Sequence, residues 1–293
     1  MSQANKPRGA LRCATLLNAK RPLHMAILNL SPDSFSDGGL YSSVLAAQTQ
    51  TQLLIESGAD VIDVGGVSTR PGALELSTDD ELARVMPVLR CLQKLALSKV
   101  LVSLDTSNPS VAEAAAQEGL IDIINDVYAS RKSSYGHLAH HTTAHVAAQF
   151  NLGLVLMHMQ GTPATMQSHP TYSNCLDEVI SFLRSRLDFA KRCGVNWHAV
   201  DPGIGFGKLL DHNLQLLRKE SFEKMAELGA PLLIGLSRKS FLKHLAERQG
   251  NLPAFNSLAE ENDWRDQQSA LWERKCARWG ASVIRTHTMK NFC

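Results

Sequence analysis

Eight short apolar runs, nearly all with a polar residue at or near the C-terminal tip, constrain this chain more than any other feature. They occupy residues 24–30, 61–65, 100–104, 121–126, 153–158, 198–201, 232–236 and 283–285. Runs of this length, rich in Val, Ile and Leu and apolar on both faces, read as strands of a buried parallel sheet. Helix signals lie between them. Ser43 can cap a helix that Gly58 ends, and Thr78 with Glu81 forms a capping box ahead of residues 82–97. Asn108 and Pro109 open a short Ala-rich helix closed by Gly119, and the amphipathic stretch 176–192 stops at Gly194. Strict strand–helix alternation with eight strands predicts an α/β fold, specifically a (β/α)8 TIM barrel. A doubly wound sheet would show fewer strands and a Gly-rich turn after the first; here SPDSFSDGG follows at 31–39. Residues 1–22 read as an N-terminal extension, 23–293 as the barrel, and the polar stretch 251–265 as an excursion after strand seven.

Composition narrows the function classes. A formal net charge of +2 over 293 residues is too small for an electrostatic nucleic-acid or membrane-surface binder. The six cysteines are scattered, with no Cys-x-x-Cys pair, as expected of free thiols in a reducing compartment. The N-terminus lacks an apolar signal-peptide core, and no apolar run approaches a membrane span, so a cytoplasmic location is expected.

Polar residues fall at nearly every strand tip: Asn29, Asp63, Asp105, Asn125 with Asp126, His158, Asp201, Ser237-Arg238-Lys239, and Arg285 with His287. In a barrel these tips converge on one face, where active sites sit. Any one of them could merely cap a helix or satisfy a loop; so many together imply a ligand, or each other, as partners. Arg70, Lys239, Arg285 and His287 suit an anion such as phosphate. Asp105, Asp201 and Asn125 suit a ligand rich in N–H donors, such as an amino-heterocycle. Asn29 and the loop acids Asp33 and Asp37 offer oxygens for Mg2+. Other signals are weaker. The stretch GIGFGK at 203–208 fails the P-loop pattern and reads as a tight turn that lets the backbone approach a ligand. His140, His141 and His145 read as a solvated helix face, and Lys239 as a charged hydrogen-bonding group more than a Schiff-base former.

In chain order, ILNLSPDSFSDGG at 27–39, GAD at 58–60, DVGGVSTRPG at 63–72, SLDTS at 103–107, IINDV at 123–127, LMHMQG at 156–161, DPGIGFGK at 201–208, GLSRKSF at 235–241 and IRTH at 284–287 resemble the dihydropteroate synthase family of pterin-binding barrels. The resemblance implies condensation of 6-hydroxymethyl-7,8-dihydropterin pyrophosphate with 4-aminobenzoate. It implies that Asp105, Asn125, Asp201 and Lys239 hold the pterin, with Met157 packed against it. Asn29 is implied as the Mg2+ ligand, and Thr69, Arg70, Arg285 and His287 as the pyrophosphate grip. Phe35, Phe206 and Ser240 would shape the aminobenzoate site, Asp37 would add to the substrate-binding set, and the loops 31–39 and 67–72 would fold over the substrates.

Three departures from the family pattern carry expectations. Ala26 stands in place of a Gly. Thr288 stands where the family has Asp, which predicts a less firmly oriented His287. Six residues follow His287 where the family has its last helix, so the barrel is expected to lack that helix and to expose the seam between strands eight and one. The N-terminal segment, a partner chain or the 251–265 stretch would have to cover it, and the family's homodimer, formed through its last helices, is in question. Two alternatives share the pterin-binding barrel: a methyltetrahydrofolate methyltransferase, and a pterin-binding paralogue without turnover. The first should lack the 237–239 cluster and the 29–39 loop.

Overall fold

The computed structural model describes residues 9–17, 21–30, 39–67, 76–95, 100–131 and 141–289, with the side chains of 16–17 and 39–43 left out. Every predicted strand is present: β1 (Leu23–Asn29), β2 (Val61–Gly65), β3 (Leu101–Asp105), β4 (Ile123–Asp126), β5 (Gly153–Met157), β6 (Trp197–Asp201), β7 (Leu233–Gly235) and β8 (Val283–Thr286). The sheet runs β6-β5-β4-β3-β2-β1-β8-β7, all parallel. The last seam, between β6 and β7, is held by a single bridge from Val200 to Leu232 and a bond from Val200 N to Pro231 O of 2.9 Å. The result is an eight-stranded parallel sheet rolled into a nearly closed barrel.

Ten helices are described: α1 (Gly9–Leu17), α2 (Gly39–Glu56), α3 (Thr78–Lys94), α4 (Pro109–Gln117), α5 (Thr143–Phe150), α6 (Cys175–Cys193), α7 (Leu210–Leu216), α8 (Lys219–Ala226), α9 (Phe241–Gln249) and α10 (Leu258–Arg278). Asn108 caps α4 through its side chain, as expected, and Gly194 ends α6 at φ +90°. Three local expectations are corrected. Helix α2 starts at Gly39, so Ser43 lies inside it. Ser77, not Thr78, caps α3, and Glu81 turns away to accept from Thr106 Oγ1 at 2.6 Å. Most of 251–265 is not an excursion: Ser257 caps α10, whose first turns it supplies.

Strand alternation sorts the interior. Odd-numbered residues of β1 to β6 and β8 face into the barrel, and even-numbered ones face the helices. The lower inward layers are apolar: Leu23, Met25, Val61, Leu101, Ile123, Val155, Ala199, Leu233 and Val283 form one buried cluster. The outward residues, among them Ile62, Leu104, Ile124, Leu154 and Val200, join the helices in the main core.

Helix α1, from the N-terminal segment, packs into this body. Helix α1 inserts Cys13, 1 % exposed, among the lower inward side chains. Arg12 bonds Asp122 at 2.6 Å and the Val100 carbonyl at 2.9 Å, and Ala10 N donates to Asn151 O. So α1 plugs the bottom of the barrel; it does not cover the β8–β1 seam. The outward residues of that seam, Ala26, Leu28 and Ile284, are buried nonetheless. The carboxyl of Glu273 on α10 is buried next to Thr286 of β8, so α10 covers β8 on its outer side. Among the described residues, no helix follows β8.

Candidate active site

The upper inward layer changes chemistry. Sheet register aligns Asn29 with Gly65, Gly65 with Asp105, Asp105 with Asn125, and Met157 with Asp201. These residues share one mouth, at the C-terminal ends of the strands. A methyl group built on Gly65 would lie 3.6 Å from Asn29 Oδ1 and 3.7 Å from Asp105 Oδ2, so the two oxygens flank that glycine.

Arg285 enters the same layer from β8. Its Nε donates to Asp63 Oδ2 at 2.6 Å and its Nη2 to Asp105 Oδ2 at 2.7 Å. Asn125 Nδ2 donates to the same Asp63 oxygen at 3.0 Å. Burial pushes Asp105 up to about 7 against the pull of Arg285. Burial acts to lower Arg285, but Asp63 and Asp105 outweigh it, and the guanidinium is held above its ordinary range.

Opposite this network stand Asp201 and Lys239. Burial raises Asp201, while Lys239 and a bond from Gly203 N at 2.7 Å oppose the rise. Burial lowers Lys239 to about 8, with Asp201 resisting. The ammonium donates to Ile204 O and lies 4.6 Å from the centre of the Phe206 ring. Val127, Met157, Met159 and Met166, with Tyr128 and Phe206, form an apolar wall beside these groups. The mouth therefore offers acceptors, cations and an apolar face suited to a flat ring.

Two turns set these positions. Gly203, Gly205 and Gly207 all have positive φ, and a Cβ on Gly203 would stand 1.9 Å from His158 O, which explains GIGFGK as a close approach of backbone to backbone. Lys208, at the end of this turn, points inward. It reaches His158 Nδ1 at 2.8 Å, Gly203 O at 2.9 Å and Phe206 O at 3.0 Å. After β7, Arg238 sits at φ +59° and is fixed by a two-pronged bond to Asp266 of α10, at 2.8 Å for each arm. That left-handed residue turns the chain so that Lys239 faces the mouth and Ser240 opens α9.

The family model described as pterin binding enzyme matches residues 25–287. The dihydropteroate synthase of Escherichia coli K12 is 40% identical over 278 residues, covering 94% of this chain and 90% of the relative. That of Neisseria meningitidis serogroup C is also 40% identical, over 92% of this chain and 89% of the relative. The chain belongs to the dihydropteroate synthase family. Solved relatives agree in shape. The Yersinia pestis enzyme in a sulfonamide complex superposes with a TM-score of 0.78 at 35% identity, covering 94% of this chain and 91% of that one. The Xanthomonas albilineans enzyme with 4-aminobenzoic acid gives 0.77 at 36% identity, covering 93% and 89%. A second structure of that enzyme, with 7,8-dihydropteroate, gives 0.74 at 33% identity, covering 93% and 90%.

Of the site residues that the family resemblance implied, Asn29, Asp105, Asn125, Met157, Asp201, Phe206, Lys239, Arg285 and His287 gather at this mouth, and Ser240 stands beside it at the start of α9. Phe35, Asp37, Thr69 and Arg70, and the loops that carry them, lie outside the described residues, as does His140. Two expectations change. The carboxylates implied for the pterin and the cations implied for the diphosphate are not two unlinked sets: Arg285 is bonded to Asp105. His287 is not left loosely oriented by Thr288, because Ser237 Oγ holds both its backbone N, at 3.1 Å, and its ring Nδ1, at 3.0 Å.

Two strand-tip residues prove structural. Asp126 accepts from Ser107 Oγ, Thr143 Oγ1, Tyr128 N and Ser130 N, and so ties its own loop. His158 is engaged by Lys208. Asp63 and Ser237 were among the polar strand-tip residues but were given no role by the resemblance. Asp63 lies in the middle of β2, one layer below the tip, and Ser237 acts through its bonds to His287.

Proposed function

We propose that this barrel mouth condenses 6-hydroxymethyl-7,8-dihydropterin pyrophosphate with 4-aminobenzoate, forming 7,8-dihydropteroate and releasing pyrophosphate. The supporting observation is the convergence, on one mouth, of Asp105, Asn125 and Asp201 with Lys239, Arg285 and His287 around an apolar wall. The ligands of the Xanthomonas relatives are this reaction's second substrate and its product.

The chemistry needs no nucleophile from the protein. An aromatic amine is neutral at pH 7 and attacks as it is; the difficult event is departure of pyrophosphate from a methylene carbon. We assign Asp201, Asp105 and Asn125 to the N–H groups of the pterin, and Lys239 to its acceptor atoms. The ionised carboxylates would stabilise positive charge spreading into the ring as the bond breaks. Arg285 and His287, with Thr69 and Arg70, are assigned to the leaving group. The Nε and Nη2 of Arg285 are engaged by carboxylates, which leaves Nη1 as its edge for an anion. Phe206, Ser240 and Phe35 are assigned to the aminobenzoate, and Asp37 to substrate binding.

Mg2+ fits these residues only as an ion shared with substrate. Among the described residues no cluster of three or more His, Cys, Asp or Glu could hold a metal. Asn29 offers one oxygen at the mouth, and Mg2+ commonly takes one or two protein groups plus phosphate oxygens. Asn29 would hold the ion against the diphosphate, where it would neutralise growing negative charge.

The test is pyrophosphate release from the pterin substrate with Mg2+, with and without 4-aminobenzoate. Release should depend on aminobenzoate and be inhibited competitively by a sulfonamide. Release that ignores aminobenzoate, or none at all from folded protein, would refute the assignment.

A further inference from the structure

Asp63 is a fully buried carboxylate, 0 % exposed, with no place in the assignments above. It sits on β2 between Val61 of the apolar lower layer and Gly65 of the mouth. Its Oδ2 accepts from Arg285 Nε and from Asn125 Nδ2, while its Oδ1 is buried with no hydrogen-bond partner among the described residues. Burying a carboxylate with one oxygen unsatisfied is unfavourable, and a well-packed apolar residue would often serve stability better. Packing therefore does not account for an aspartate here.

Its contacts do. The Asp63 oxygen that accepts from Arg285 Nε also faces the Asn125 amide and acts as an acceptor there, so the end of the amide facing it is the NH2 group. The Asn125 oxygen is then the end left for a ligand. Asp63 and Asp105 together hold the Arg285 guanidinium by two of its nitrogens, which fixes its plane. One carboxylate thus joins β2, β4 and β8 and touches a residue from each half of the site.

We propose that Asp63 is a positioning residue for the condensation: it locks the Asn125 amide so that its oxygen reads an N–H of the heterocycle, and it orients Arg285 toward the diphosphate. This role rests on the reaction proposed above. It predicts that the mouth reads the pterin with acceptors from Asp105, Asn125 and Asp201, and that a ring presenting acceptors there is rejected.

The full chain and its Asp63→Asn, Asp63→Glu and Arg285→Ala variants, with the double variant Asp63→Asn/Arg285→Ala, would be compared by circular dichroism, melting and steady-state kinetics. Asp63→Asn keeps an acceptor but removes the charge; Asp63→Glu keeps the charge but moves it. Both should remain folded and lose about 30-fold or more in kcat/KM for the pterin substrate, with KM for 4-aminobenzoate changed less than about twofold. In the Arg285→Ala background, Asp63→Asn should cost several-fold less than in the wild type, because part of its effect has already been removed. Wild-type kinetics in a folded Asp63→Asn, fully additive losses, or equal damage to both substrates would overturn the positioning role. So would failure of both single variants to fold, which would make Asp63 a folding requirement alone. Absence of turnover by the wild-type chain would instead overturn the reaction on which the role depends.

Discussion

The turn at 203–207 allows a prediction with an internal control. Gly203 and Gly119 have nearly the same backbone angle, φ +66° and +67°, but a Cβ on Gly119 would meet nothing within 4 Å whereas one on Gly203 would stand 1.9 Å from His158 O. Alanine in the left-handed region costs about 1–2 kcal/mol at either site. At Gly203 a contact that real Cβ atoms keep above 3.0 Å must also be relieved, so turn or strand end has to move by more than 1 Å. Overpacking adds about 1–3 kcal/mol. The bond from Gly203 N to Asp201 Oδ1, 2.7 Å long, is strained by the same movement. Gly203→Ala should therefore lose about 2–5 kcal/mol, and Gly119→Ala about 1–2 kcal/mol. At roughly 2–3 °C per kcal/mol for a chain of this size, the melting midpoints should fall by about 4–15 °C and 2–6 °C. Activity separates the two further. The moving turn carries Ile204 O, which accepts from Lys239, and Phe206, which lies under it. A displacement of about 1 Å near reacting groups costs on the order of a hundredfold. Thermal melting and aminobenzoate-dependent pyrophosphate release would be read on both variants. Equal melting shifts, or near wild-type kcat/KM in Gly203→Ala, would refute the close-approach argument.

Other outcomes follow from the same contacts. Lys239→Ala should chiefly raise KM for the pterin substrate, and Arg285→Ala should chiefly lower kcat; equal, mild effects from both would count against the assigned roles. The pH profile of kcat/KM should be bell-shaped. Asp105, pushed up to about 7, loses its charge as pH falls through that value, and Lys239, lowered to about 8, loses its charge as pH rises through that one, so the optimum lies between them. Replacing Lys239 by Met should abolish the alkaline limb selectively. At the other end of the barrel, Arg12→Ala removes a bond to the nearly buried Asp122 and one to Val100 O, and should destabilise by about 1–3 kcal/mol while leaving kcat/KM within about twofold.

Much of this architecture was legible because one periodicity does two jobs. Val61, Asp63 and Gly65 share a face, as do Leu101, Ser103 and Asp105, so an apolar run ending in a polar residue reports both a buried strand and its position at the mouth. Helix starts were less legible. Ser77 and Thr78 are both good caps, and only the bond from Asp80 N to Ser77 Oγ decides between them. The stretch 251–265 looked irregular because its helical part carries its charges on exposed turns, with the apolar contacts of α10 concentrated further along, at Ala270 and Cys276.

The site was legible as a set of residue types but not as a set of bonds. Charge sorting placed cations with the diphosphate and carboxylates with the heterocycle. The structure instead joins Arg285 to Asp63 and Asp105, because bringing either sign alone into a buried layer would cost more than bringing both. Pairing of this kind does not close the site; it sets its polarity. A guanidinium held by two carboxylates keeps one edge for an anion, an amide held by one of them keeps its oxygen for a donor, and Lys239, held by a carbonyl, stands with Asp201 on the opposite side of the mouth. The groups assigned to the two ends of the substrate are oriented by each other before it arrives, so disturbing one end should be felt at the other. That mutual dependence is why the Asp63 and Arg285 substitutions are expected to be non-additive.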